Sequence, residues 1–454
     1  MNVITRASRI LACHLLLCPA GFAAEFIPLG ILQDGPIVST VPGSRAWSIS
    51  DDGLVISGTT PHPDVLGHVP FRWTRETGMV PLDTDWYVVP PIMSADGSLI
   101  AFGAKLWTEK DGLLEFGDLE VEFTHGTDDN VISSDGTVLA TGVTSSNNGP
   151  NRWTQTGGLE SIFGIPIPST ITQVGLSPDG STIVGTVGTH DQRSVPWTLF
   201  RWTEAEGESS LGESPGQNIY EISGISGNGS VIMGHSRPIS NNAAGREGTT
   251  LWRWTEESGL VALEEATPGW HFERNSNRRG ISTDGSVLVG ALRSNDGESV
   301  SAFRWTETHG IELLPGISGY SHSAVKDLTP DGKWLFGQSW TTPFNPGEVV
   351  PWLWSEDTGS LNLLDIFEQQ GLGPEMEDWT SLWDVGSGYG QISADGQAVI
   401  GSGMNPEGRL EAWVVYLDPI AVPEPSTAIL LTTLLLPVFA SRRTLRREVN
   451  ILRD

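Results

Sequence analysis

The side chains able to do chemistry here are histidines, carboxylates and tryptophans. Past residue 24 there are eight histidines, scattered singly; the closest pair, His62 and His68, exceeds the H-x-x-x-H spacing of a zinc helix. No G-x-S-x-G, H-E-x-x-H, EF-hand or phosphate-loop motif is present. Both cysteines, Cys13 and Cys18, lie near the N-terminus, so the rest of the chain has no thiolate ligand, thiol nucleophile or disulfide. Carboxylates are abundant, 55 against 26 Lys and Arg. In so acidic a chain a pair of them carries almost no information, although a glycosidase can be built from two loop carboxylates by spatial spacing. The sequence assigns no catalytic residue, no metal site and no cofactor. A net charge of −29 argues against nucleic acid and anionic membrane surfaces as partners.

One set of acidic residues is ordered. An Asp-Gly or Asn-Gly pair recurs with glycines at 53, 97, 136, 180, 229, 285, 332 and 396. The residues around it repeat too, as in ISTDGSVLVG (281–290) and LSPDGSTIVG (176–185). This is turn chemistry. Pro178 and Pro330 suit the second position of a type I turn, Asp the third, and Gly the left-handed residue that follows. Ser-Pro-Asp-Gly reads as a three-residue hairpin with a glycine bulge.

These turns must be held by strands, and the strands recur with them. After each turn unit comes an aromatic strand, a polar turn closed by Gly, and an apolar strand, as in FRWTETHGIELL (303–314) and WRWTEESGLVAL (252–263). Four short strands per unit, repeating every 40–50 residues, are the signature of a β-propeller. The expected fold is all-β: a single eight-bladed β-propeller over 25–418, with a signal peptide (1–24) and a short C-terminal apolar helix. The eighth copy, EAWVVYL (411–417), lacks its last strand, whereas Phe26–Gly30 resembles a lone fourth strand. Pairing the two would close the ring and remove an open sheet edge. The strand of Ile281 and its equivalents should be innermost, because Gly224, Gly280 and Ala324 suit a crowded axis.

In the aromatic strand, Phe303 and Trp305 share one face and Arg304 points the other way. The Trp should fill the gap between blades, with its ring N–H needing a partner. The Arg at 72, 152, 201, 253 and 304 should pair with a carboxylate or carbonyl of the neighbouring blade. In an antiparallel blade the 1–2 and 3–4 turns share one end, and the 2–3 and 4–1 connections share the other. All the short repeated turns therefore lie on one face and all the long irregular connections on the opposite face, where binding residues concentrate. These loops are 59–69, 83–91, 186–197, 235–250, 264–279, 338–351 and 365–391, with Leu363–Gln370 able to form a short helix. They hold Trp86, Trp270, Trp340, Trp379 and Trp383, none of them in the repeated aromatic strand. An indole offers a flat apolar face to a sugar ring, and Asp83, Asp85 and Asp378 can accept hydrogen bonds from hydroxyls. These five tryptophans are the candidate ligand-binding residues.

The two ends read as processing signals. Arg6 and Arg9 precede an apolar core, Ile10–Cys18, and Gly21-Phe22-Ala23 offers small residues for cleavage after Ala23 or, alternatively, after Ala24. At the other end (419–454) the PEP motif Pro423-Glu424-Pro425 precedes an apolar segment, 427–440, interrupted by Pro437. A basic flank, 442–447, follows, with Arg442, Arg443, Arg446 and Arg447. Fourteen residues are short against the ~20 that span a bilayer, which fits a temporary anchor better than a permanent one. The arrangement resembles the PEP-CTERM sorting signal. That resemblance implies an exosortase-type processing enzyme as partner and transient insertion in the inner membrane of a Gram-negative-type bacterium. It further implies removal of the tail and delivery to the cell surface or extracellular matrix. The repeats resemble the HAF family of extracellular repeat proteins, most closely over Gly390–Leu417, and are similar to TolB-type and WD-like propeller repeats. The HAF resemblance transfers no catalytic residue. The expectation is an exported, non-enzymatic β-propeller associated with exopolysaccharide or biofilm, binding polysaccharide or a surface protein. The alternative is a polysaccharide-active hydrolase or lyase using loop carboxylates.

Overall fold

The computed structural model describes residues 24–32, 43–64, 67–85, 90–103, 105–115, 130–141, 150–162, 170–188, 198–213, 217–238, 249–263, 267–273, 280–342, 349–382 and 390–420. It is an eight-bladed β-propeller. Seven blades are continuous in sequence: 45–81, 92–115, 130–161, 170–213, 217–262, 270–313 and 322–362. Each is a four-stranded antiparallel sheet in simple up-and-down order. The eighth takes three strands from 391–416, and Glu25–Gly30 lies antiparallel to Leu410–Tyr416, with Glu25 opposite Tyr416. First strands of successive blades neighbour one another around the axis. Fourth strands form the rim, where Val80, Leu113, Val261 and Leu313 are exposed.

The core is divided among the gaps between blades, and one pairing explains its repeat. The glycine of the second strand faces the first aromatic of the third: Gly58 with Phe71, Gly290 with Phe303, Gly337 with Trp352, Gly401 with Trp413. A Cβ on Gly337 or Gly401 would overlap the opposing indole. The ring therefore lies flat over bare backbone and is fully buried, as for Phe71, Phe303, Trp352 and Trp413. Among the described residues the indole N–H groups of Trp252 and Trp352 find no acceptor. Trp413, in the same pairing, does find one, donating to the Leu382 carbonyl at 2.9 Å.

The Arg of the aromatic strand meets the carboxylates of the neighbouring blade as expected at Arg72, Arg152 and Arg304, and adds a stacked contact. Arg72 lies over Trp107 at 5.3 Å, Arg253 over Trp305 at 5.3 Å and Arg304 over Trp354 at 5.5 Å. Carboxylates of the next blade stand at the edge of the guanidinium, Glu109 at 3.7 Å from Arg72 and Glu356 at 3.5 Å from Arg304. The Nε atoms of Arg72, Arg152, Arg201, Arg253 and Arg304 are buried without an acceptor; stacking seats Arg72, Arg253 and Arg304, while Arg152 and Arg201 also donate through Nη1 to Glu160 and Glu206 of their own blades at 2.9 Å.

The short turns are built to one plan. Ser282 Oγ donates to Asp284 at 2.6 Å and accepts the Val287 N–H at 3.0 Å, while Asp284 accepts the Ser286 N–H at 2.9 Å. The Gly285 N–H takes the Ser282 carbonyl at 2.9 Å. Four residues (283–286) thus separate Ser282 and Val287, one more than the three-residue hairpin the sequence suggests. The Ser and Asp side chains supply the acceptors that let the longer loop close. Gly285 has φ +73°, and its α-carbon packs against Val231 of the preceding blade, so any side chain there is both strained and obstructed.

These turns also join into a ring. The Asp51 N–H donates to Ala95, Ser134 to Pro178, Gly227 to Thr283, Thr283 to Pro330 and Ala394 to Asp51, at 2.6–2.9 Å. At two junctions the next residue donates: Asp96 to Ser134 at 3.1 Å, and Asp179 to Gly227 at 3.0 Å, where Pro178 has no N–H to give. The junction of blades 7 and 8 has no such bond among the described residues. Pro330 lacks the donor, and Trp334, where other blades carry Val, Leu, Thr or Ala, stands against Gly396. That junction is filled instead by α1 (Leu363–Gln369) and α2 (Gly373–Met376). Asn362 caps α1 by accepting the Leu364 N–H at 3.0 Å, and Leu363, Ile366 and Phe367 are buried with Phe336, Ile392 and Trp413.

Candidate functional site

The long-loop face is where the irregular connections collect, and much of it is strand rather than loop. Trp270 is not in a loop: Trp270–Phe272 is the first piece of the first strand of blade 6, pairing with 292–294, and Ile281 continues it by bridging Leu288. Trp340 ends the second strand of blade 7, opposite His322. Both indoles are half-buried. Trp340 packs against Ala291, Val300 and Ala324 at the junction of blades 6 and 7, and Trp270 packs on the cluster of Leu251, Phe272 and Leu292. Trp379 follows α2 and meets Phe26 edge-on, ring centroids 5.2 Å apart. Its indole is engaged in tacking the helical insertion onto the N-terminal strand. Trp86 and Trp383 lie outside the described residues, as do Pro423, Glu424, Pro425, Arg442 and Arg443.

Between Trp270 and Trp340 runs a polar row that sequence spacing did not bring together. His271 is buried beside Asn295, Nδ1 to Oδ1 3.1 Å. Arg293, opposite His271 in the sheet, donates through Nε to Glu273 and through Nη1 to the Gly297 carbonyl at 3.2 Å. His322 stacks on Trp340 at 5.7 Å and accepts the Val300 N–H on Nδ1 at 3.2 Å, so its own proton sits on Nε2. Burial, then the charge of Arg293, hold its pKa below the usual histidine value. The row is thus two imidazoles, one ion pair and two half-open indoles.

The carboxylates singled out in the loop after blade 1 are already engaged. Lys105 places Nζ 2.7 Å from Asp83 and 2.7 Å from Asp85, with Asp83 nearly buried. Asp378 is exposed. His62 is local, accepting the Asp64 N–H at 3.3 Å, and His68 donates to the Gly43 carbonyl at 3.2 Å. No three His, Cys, Asp or Glu side chains among the described residues group to hold a metal.

Lys326 was missed. It sits at a bulge in the first strand of blade 7, between the pairs Val325–Gly337 and Asp327–Phe336. Burial lowers its pKa to about 8. Asp327 beside it is buried and accepts backbone N–H groups from Leu328 at 3.0 Å and from Ile392 of blade 8 at 3.2 Å. The signal was available: this copy reads AVKDLTPDG, and no other copy carries a Lys-Asp pair before its first turn.

With this geometry in view, known proteins can be compared. No protein-family model and no curated protein sequence matches the chain. Solved structures do match. An oligogalacturonate lyase of Vibrio parahaemolyticus superposes with a TM-score of 0.50 at 11% identity, over 88% of this chain and 98% of that one. An oligogalacturonate lyase in complex with manganese gives 0.50 at 11% identity, over 87% and 98%. A TolB-type protein of Agrobacterium tumefaciens gives 0.32 at 16% identity, over 64% and 90%, and adds nothing to the fold assignment. At these identities the likeness is one of fold.

Proposed function

We propose that this chain is an exported, surface- or matrix-associated β-propeller that binds polysaccharide on its long-loop face. The ring is locked by the N-terminal strand, and the ends are processed as the PEP-CTERM and leader resemblances imply. The observation that carries the binding reading is the pair Trp270 and Trp340. Each is fixed against a blade junction yet half-open, on adjacent blades, with a polar row between them. Rigid indoles with hydrogen-bonding neighbours are what sugar stacking requires. The mature domain should bind a subset of glycans on an array, and the double change Trp270→Ala with Trp340→Ala should abolish that binding while a folded, cooperative melt remains. Unchanged binding by the double variant would reject this face.

A second reading is a polysaccharide-active lyase or hydrolase. It is favoured by the two carboxylates, Asp83 and Asp85, gathered about Lys105 on the same face. Release of new reducing ends or unsaturated products from a bound glycan, lost in Asp83→Asn, would establish it. Binding without product release would leave the chain a binding protein.

A further inference from the structure

The register of the N-terminal strand fixes where the two ends leave the disk. Glu25 is opposite Tyr416, so the first described strand begins where the last one ends. Three contacts place that point on the short-turn face. Arg75, in the 3–4 turn of blade 1, donates to Glu25 at 2.7 Å; the Tyr416 hydroxyl donates to the Gly53 carbonyl at 2.9 Å; the Leu417 N–H donates to Gln397 at 2.7 Å. Gly53 and Gln397 belong to 1–2 turns. Ala24 and Ile420 both pack on the same apolar cluster at the junction of blades 7 and 8. The chain therefore enters and leaves at one spot on the rim, on the face opposite Trp270 and Trp340.

We infer that before processing the disk hangs from the membrane by this one spot, its short-turn face toward the bilayer and its long-loop face away. The inference rests on the reading that both ends engage the membrane. The apolar core Ile10–Cys18 ends six residues before Ala24, and the segment 427–440 begins seven residues after Ile420. Even fully extended, such connections reach only about 20–25 Å. The disk is itself about 23 Å deep, seven residues of strand at ~3.3 Å each. Turning the long-loop face to the lipid would require each connection to run the full ~23 Å depth and then cross the interfacial layer, roughly 5–8 Å more, which exceeds its reach. A ligand on that face is reachable from outside while both ends are still anchored.

The test uses the full chain made by cell-free synthesis into phosphatidylcholine–phosphatidylglycerol vesicles that carry a headgroup acceptor dye. With Cys13 and Cys18 changed to Ser, a donor dye is placed at Glu76→Cys or Pro406→Cys. Both positions are exposed, in the short turn of blade 1 and the long-loop side of blade 8. Quenching at position 76 should be roughly threefold or more above that at position 406, given faces about 23 Å apart. Equal or greater quenching at 406 in a chain that floats with the vesicles overturns the orientation alone. A full chain that does not float overturns the membrane reading of the ends, and the orientation with it.

Discussion

The two faces of the disk are made from the same strands by opposite rules. On the short-turn face every blade repeats one hydroxyl, one carboxylate (in blade 5 the amide of Asn228) and one glycine, and seven junctions are tied by backbone hydrogen bonds. On the long-loop face the connections differ in length and sequence, and among the described residues side chains share the joining: Ser323 accepts the Ala302 N–H at 3.0 Å, Ser44 the Ala412 N–H at 3.0 Å, Ser402 the Ala46 N–H at 3.1 Å and His322 the Val300 N–H. One face carries the stability of the ring, which leaves the other free to vary.

The largest disturbance should come from removing residues 25–30, which belong to both faces. Phe26 and Leu29 leave the core and the edge of Leu410–Tyr416 is exposed. The loss is on the order of 5 kcal/mol, comparable with the net stability of a domain, and size-exclusion chromatography should show aggregate in place of monomer. Next is Gly337→Ala, which forces Trp352 out of its rotamer at about 1–3 kcal/mol, read by denaturant midpoint. If it costs nothing, the glycine–aromatic pairing does not hold the blades.

A single turn should matter nearly as much. Ser282→Ala leaves the Val287 N–H without an acceptor and should cost about 1–3 kcal/mol. Asp284→Asn should cost under ~1 kcal/mol, because Asn228 in blade 5 already accepts the Ser230 N–H at 3.1 Å.

Acid should act on both faces, in two windows. On the long-loop face burial, before any charge effect, holds His68 and His322 below 6.5. The unfolded chain then binds more protons, so their contribution is complete above pH 6.5 and fades as pH falls through their folded values. On the short-turn face hydrogen bonds from Ser282 and the Ser286 N–H hold Asp284 below its ordinary 3.8; in Asp135, Asp179 and Asp331 burial pushes upward but such bonds outweigh it. Their contribution is present above pH 3.8 and is lost below it. Melting temperature against pH should fall in two stages, and His322→Gln should reduce the first. The smallest effect belongs to an exposed long-loop carboxylate. Asp378→Ala should stay within ~0.5 kcal/mol of the parent.

The blades were legible because a strand–turn unit repeated eight times reinforces its own pattern: the Asp-Gly turns, the Trp strands and the short helix after Asn362 all stand where residue type alone suggests. The buried Ser of each turn was on view in every copy, but its double role depends on a loop length that composition does not set. The pairing of the Arg stripe with carboxylates of the next blade was legible and is present at Arg72, Arg152 and Arg304; the stacking on that blade's indole was not, being a contact between residues some fifty positions apart. Trp270 and Trp340 were placed in loops because strand ends carry no turn signal there. The polar row from His271 to His322 was invisible, since blade junctions and not spacing assemble it.

The pairing of Gly30 with Glu411, the Gly30 N–H donating to the carboxylate at 3.0 Å, spans 381 residues. A ribosome adding about 5–20 residues per second delivers the second partner roughly 20–80 s after the first. For that interval Phe26 and its neighbours have no sheet to join, while blades 1 to 7 can already form from contiguous sequence. The timing of the last blade is therefore set by completion of the whole chain, the longest-range pairing being the last that can form.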